Sequence, residues 1–296
     1  MAPFAIRALP ATLQRKPALL FNKSGESTIV GVSPDGAKVF SFKAQGGSVI
    51  AFEVADLDGD KESEILVGQS SQLGLVCLDS KGTQRWTFNG IASPSVIAVA
   101  DGNGDGKPEV FVAYRGSDLV DVVDKQGQEI GQWTTSLGLL ALTGADLDGD
   151  HRAEFCASGL NAPVPPGGKV TAGGYAASLQ LALAGLAADG KELWKIPLGS
   201  GFSGMLDWPI GVGDLDGDGH SEWVRVSLDG SVTVYDLKGK VIGQQSMGKY
   251  ITGMTITPAA KQGQKARLWL GLDTEVVGLD WTKWMARPST TGHGAK

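Results

Sequence analysis

Histidine and cysteine are scarce in this 296-residue chain, which holds three of the first and two of the second. Cys77 and Cys156 fall in separate β-like runs, so no disulfide framework is indicated and both read as buried thiols. His151 and His220 sit inside acidic loops and His293 lies near the end, so neither a zinc cluster nor histidine-based catalysis is expected. A Gly-x-Ser-x-Gly nucleophile elbow is missing too. No run of 18 apolar residues exists to form a membrane span. The first 25 residues hold Arg7, Arg15 and Lys16 with no acid before Glu26, but they lack the continuous apolar stretch of a secretory signal.

What the chain does have is glycine. Its 43 glycines are about twice the usual share of roughly 7%. They show no three-residue period and stand between apolar runs, as turn residues of an all-β chain do. With 42% hydrophobic residues the chain can bury a full core, and its length suits one barrel or propeller. The net charge of −6 misleads, because fifteen of the 32 acids stand at four recurring positions of four short loops. The remainder carries +9, and four bound divalent ions would bring the whole to +2, so no nucleic-acid partner is expected.

Those loops form a repeat: Asp56-Leu-Asp-Gly-Asp60, Asp101-Gly-Asn-Gly-Asp105, Asp146-Leu-Asp-Gly-Asp150 and Asp214-Leu-Asp-Gly-Asp218. Their starts are 45, 45 and 68 residues apart, and the long interval holds an extra Pro/Gly/Ala-rich stretch over about 161–183. A period near 45 is the size of one four-stranded propeller blade. Each unit has an apolar run before the loop and a β-rich run after it, then a run ending in a turn such as Leu78-Asp-Ser-Lys-Gly82, then a fourth run such as Gln84-Arg-Trp-Thr-Phe88.

Two further units, around Ser27–Phe42 and Ala266–Asp280, keep the strand pattern without the acids. The expected architecture is therefore an all-β propeller of four-stranded antiparallel blades, six by this count, with five or seven also compatible. A propeller over 17–285 is expected, with 1–16 as an N-terminal segment that supplies a closing strand and 286–296 as a tail. Trp86, Trp133 and Trp194 recur in fourth runs, where packing between blades is the expected role.

Numbering each loop from its first Asp, oxygen-bearing side chains fall at positions 1, 3 and 5, and a Glu closes every copy at position 9. The candidate metal residues are Asp56, Asp58, Asp60, Glu62 and Glu64; Asp101, Asn103, Asp105, Lys107 and Glu109; Asp146, Asp148, Asp150, Arg152 and Glu154; and Asp214, Asp216, Asp218, His220 and Glu222. Hard oxygen donors in this number suit Ca²⁺. Position 7 varies among Glu62, Lys107, Arg152 and His220, which fits a ligand that is a backbone carbonyl. Glycine at position 4 lets the backbone curl. An EF-hand would need a Glu at position 12 and flanking helices, but position 12 is Val67, Val112, Ala157 or Arg225 and β-type sequence follows.

Four Asp-x-Asp-Gly-Asp-x-x-x-Glu loops in register resemble the FG-GAP/VCBS repeats of integrin α subunits and bacterial surface proteins, over about 17–285. The second loop departs through Asn103. The resemblance implies about four Ca²⁺ ions in the loops joining first and second strands, and an extracellular, cell-surface or periplasmic location. It implies a non-enzymatic module that presents its metal-free face to a protein or glycan. A carbohydrate-active or quinoprotein-like propeller enzyme, or a lectin, is the alternative. Against the quinoprotein option, the adjacent cysteine pair of methanol-dehydrogenase-like enzymes is missing. On the metal-free face, Tyr114, Arg115, Phe202 and Trp208 are the candidate contact residues, since aromatics with Arg favour recognition.

Overall fold

A computed structural model describes residues 6–23, 26–45, 47–71, 74–161, 180–200, 210–227, 229–257, 265–272 and 275–279. All its regular elements are strands. Blade one is β1 (Ile6–Leu13), β2 (Lys16–Lys23), β3 (Thr28–Val32) and β4 (Lys38–Lys43); blade two is β5 (Val49–Ala55), β6 (Glu64–Gln69), β7 (Leu75–Leu78) and β8 (Gln84–Phe88). Blade three is β9 (Val96–Ala100), β10 (Glu109–Ala113), β11 (Leu119–Val123) and β12 (Glu129–Thr134). Blade four is β13 (Gly138–Ala145), β14 (Glu154–Leu160), β15 (Gln180–Leu186) and β16 (Glu192–Ser200). Blade five is β17 (Ile210–Gly213), β18 (Glu222–Val226), β19 (Ser231–Tyr235) and β20 (Val241–Ser246). Blade six is described with three strands, β21 (Ile251–Thr257), β22 (Arg267–Leu272) and β23 (Glu275–Leu279).

Each sheet is an antiparallel meander, and the first strands touch one another in the order β1, β5, β9, β13, β17, β21 and back to β1. The protein is a six-bladed all-β propeller. Burial follows position within the blade. Second strands lie between two neighbouring sheets and are almost wholly buried in β6, β10 and β14, so they read as continuous apolar runs. Fourth strands face solvent on one side and alternate, as β8 and β12 do.

The core divides between blade pairs. Phe111 and Phe155 meet edge-on at 4.4 Å between blades three and four, with Trp133 beside both. Cys77 and Cys156 are buried in different blades, and burial pushes the Cys77 thiol up to about 12.

Two sequence boundaries shift. The N-terminal segment expected to supply a closing strand supplies the innermost strand of blade one: β1 pairs with β2 from Ile6↔Lys23 to Leu13↔Lys16. Its two-residue turn, Gln14 and Arg15, has φ of 50° and 63°, the left-handed geometry of a tight hairpin. Blade one is thus complete, with β4 as its fourth strand. The stretch taken as an insertion ends earlier, because Leu181 and Leu183 belong to β15; residues 162–179 lie outside the described residues. The expected tail, 286–296, also lies outside them.

The tryptophan expectation acquires a mechanism. An aromatic ring on the fourth strand of one blade covers the glycine in the turn between third and fourth strands of the next. A Cβ on Gly127 would stand 2.8 Å from Trp86, one on Gly190 2.4 Å from Trp133, and one on Gly239 2.6 Å from Trp194. Phe40 covers Gly82 in the same way, more loosely, at 3.2 Å. Trp86 Nε1 donates to Lys125 O at 2.8 Å and Trp194 Nε1 to Leu237 O at 2.6 Å. The four glycines have φ between 75° and 85°, so both backbone and space exclude a side chain there. Trp133 is not strictly equivalent: it pairs with Val120, two residues beyond the place that Gly131 takes opposite Val122, and it reaches its glycine from there.

Candidate metal sites

The four acidic loops join first to second strands in blades two to five, and one hydrogen-bond scheme shapes all of them. The Asp at position 1 accepts the amide of the position-4 glycine on Oδ1: Gly59 to Asp56 and Gly104 to Asp101 at 2.7 Å, Gly149 to Asp146 at 2.7 Å, Gly217 to Asp214 at 2.6 Å. Its Oδ2 accepts the position-6 amide, from Lys61, Gly106, His151 or Gly219. The Asp at position 5 accepts the position-7 amide, from Glu62, Lys107, Arg152 or His220. The closing Glu accepts the position-2 amide on Oε2: Leu57 to Glu64, Gly102 to Glu109, Leu147 to Glu154 and Leu215 to Glu222, at 2.8 to 2.9 Å. Position 4 is left-handed in every copy, as the glycines implied.

Two features of the loops went unread in the sequence. Position 6 is also left-handed, at φ 69° for Lys61 and 72° for His151, where a non-glycine residue costs about 1 kcal/mol. Leu57, Leu147 and Leu215 at position 2 are buried and plug each loop into the core, while Gly102 leaves its space to Phe111. Their recurrence at one position was the signal available.

Ligand-type oxygens within 4.8 Å of one another come from Asp56, Asp58 and Glu64; from Asp101, Asp105 and Glu109; from Asp146, Asp148 and Glu154; and from Asp214, Asp216 and Asp218. Asp60, Asp150 and Glu222 stand outside these groupings. Glu62 is bonded instead by the Ser80 hydroxyl and lies 4.0 Å from Arg15. Burial raises the carboxyls of Glu64, Glu109, Glu154 and Glu222, and the neighbouring aspartates push the same way. Glu222 reaches about 7, with Asp216, Asp218 and Asp214 all acting on it. Each loop therefore gathers acids that repel one another and holds its Glu away from water.

Blade two differs. Arg85, on β8, sends Nη1 and Nη2 to Asp58 Oδ2, both at 2.9 Å, and Nη1 to Glu64 Oε1 at 2.6 Å. In blade three Asn103 Nδ2 donates to Glu109 Oε1 at 2.7 Å.

Of the candidate contact residues on the opposite face, Tyr114 is corrected. It is buried, and its hydroxyl donates to the buried Asp121, which also accepts Gln132 Nε2 at 2.8 Å. The ring directly follows the end of β10, and its hydroxyl lies against Gly90. Arg115 is half-buried, and Phe202 and Trp208 lie outside the described residues.

Comparison with known proteins points to the fold. A family model described as the lambda-carrageenase beta-propeller domain matches residues 20–118, about a third of the chain. No curated protein matches the sequence. Among solved structures the chain is similar to BBS1N in complex with ARL6DN, in lead-soaked and mercury-soaked crystals, with TM-scores of 0.63 and 0.62. Identity is 14% in both, over 93% of this chain and 78% and 76% of that one. It is also similar to the Dos1 propeller, with a TM-score of 0.56 and 15% identity over 93% of this chain and 68% of the other. The ring of six sheets and these likenesses together place the chain among the β-propellers.

Proposed function

We propose that the protein is a calcium-stabilised propeller of the FG-GAP/VCBS kind, serving as a non-enzymatic interaction module. One observation carries the metal reading: four loops at the same place in four blades bring three carboxylates each within 4.8 Å, with hard oxygen donors throughout. At that spacing like charges repel strongly unless a cation lies among them. A divalent ion would neutralise each cluster and lower the cost of keeping the closing Glu ionised where it is buried. The aspartates at positions 1 and 3, with position 5 or the closing Glu, would hold it. What calcium supplies is structural, pinning the corner between first and second strands.

A protein partner fits better than a glycan. The tryptophans that would line repeated sugar pockets between blades are instead committed to packing and to backbone carbonyls. BBS1N, similar in fold, was solved in complex with ARL6DN. We assign the partner to the face opposite the metal loops, where the connections between second and third strands emerge. A location outside the cytosol, where calcium is millimolar, suits loops of this exposure.

The test is thermal unfolding of chelator-stripped protein titrated with Ca²⁺ and, separately, Mg²⁺, with bound metal counted. The expected result is a midpoint that rises with Ca²⁺ and less with Mg²⁺. An unchanged midpoint with no bound metal would overturn the calcium reading.

A further inference from the structure

The loops of blades two and four have the same first five residues and the same closing Glu, yet the fourth-strand side chain beside each loop differs. At the start of each fourth strand a register shift leaves one residue unpaired. In blade two Leu78 pairs with Gln84 and Cys77 with Trp86, which leaves Arg85. By the same register the unpaired residues are Ile130 in blade three, Leu193 in blade four and Ile242 in blade five. The bulge aims Arg85 back under its own acidic loop, where it engages two of the three clustered carboxylates, Asp58 and Glu64.

We infer that Arg85 is a built-in counter-cation that makes the blade-two loop the weakest divalent-metal site of the four. The inference rests on the calcium reading and refines it. A metal ion entering blade two meets a guanidinium already bonded to the oxygens it needs, and charge-assisted hydrogen bonds of this kind are the strong ones. It must also approach against a positive charge at contact range. Ile130, Leu193 and Ile242 present no such competitor. The loop is weakened and not abolished, because a cavity of about 360 Å³ lined by Asp58, Arg85, Trp86, Lys125 and Gln126 adjoins the ion pair. That space is open to the guanidinium when an ion displaces it. The blade-two loop is thereby already neutralised in part without metal, whereas its twin in blade four depends on an external ion.

The experiment is equilibrium dialysis of the full chain against Ca²⁺, with bound calcium counted, for the natural protein, Arg85→Leu and Leu193→Arg. The natural protein is expected to show three tighter sites and one weaker. Arg85→Leu should tighten the weakest site about tenfold or more, as loss of one charged competitor implies. Leu193→Arg should weaken a second site comparably, and because Leu193 is 49% exposed the fold tolerates it even where Arg85→Leu is poorly folded. Three proteins with the same number of sites and the same affinities would overturn this inference and leave the calcium reading standing. No calcium bound by any of them would overturn both.

Discussion

Blades two and four can be laid over one another in their acidic loops at positions 1 to 5 and 9. Asp56 to Asp60 matches Asp146 to Asp150, Glu64 matches Glu154, and each blade carries a tryptophan whose indole N–H bonds a backbone carbonyl in the following blade. They part within the loop at Lys61-Glu62-Ser63 against His151-Arg152-Ala153, and beyond it at Arg85 against Leu193. The chemistry of a repeated motif is thus finished by a strand about twenty residues further on. In a meander the fourth strand begins at the same end of the sheet as the loop between first and second.

Removing the shared part of the two blades should have the largest effect. Trp86→Ala and Trp194→Ala should each cost about 3 kcal/mol, through lost ring contacts and an orphaned carbonyl. Urea unfolding of the two variants should give values that agree closely. A much greater loss for Trp86→Ala would break the comparison, since the blades would then differ in packing as well as in charge.

A smaller effect sharpens it from the other side. In metal-free protein, Arg85→Leu should lower stability by about 1 kcal/mol, a modest figure because the guanidinium is partly exposed to water. Excess Ca²⁺ should recover most of that loss. A variant as stable as the natural protein without metal would show that Arg85 neutralises nothing.

The smallest effect is on pH dependence. The closing glutamates have carboxyls raised from the ordinary 4.5, so their protonated forms are favoured in the folded state. Their contribution is fully present below about pH 4.5 and is lost as pH rises through the folded values, near 7 for Glu222. Metal-free protein should therefore lose stability between those limits, and Ca²⁺ should flatten the decline. Arg85 partly offsets the rise at Glu64, so Glu154→Gln should flatten the slope more than Glu64→Gln in metal-free melts at stepped pH. Equal slopes would mean that the arginine has no electrostatic reach into its loop.

The fold was legible because the repeat period and the Asp-Gly loops are local signals. The left-handed glycines at position 4, the six blades and the placing of loops between first and second strands all follow from residues close together in sequence. What stayed hidden needed register. Arg85 looks like any strand residue until a bulge turns it beneath Asp58 and Glu64. Tyr114 looks like an exposed aromatic beside an arginine until burial pairs it with Asp121, which lies in the next strand. The place of β1 as the innermost strand of blade one stayed hidden because its hairpin turns on Gln14 and Arg15, a pair without the Asn-Gly signature that usually announces such a turn.

The rings that cover turn glycines also impose a direction on the molecule. Phe40 reaches Gly82, Trp86 reaches Gly127, Trp133 reaches Gly190 and Trp194 reaches Gly239, always from an earlier blade to a later one. A chain emerging from the ribosome therefore finishes each of blades one to four only once its successor has been made. A nascent chain ending after Phe88 has all four strands of blade two, but Trp86 still lacks both the glycine it covers and the Lys125 carbonyl that fixes its indole.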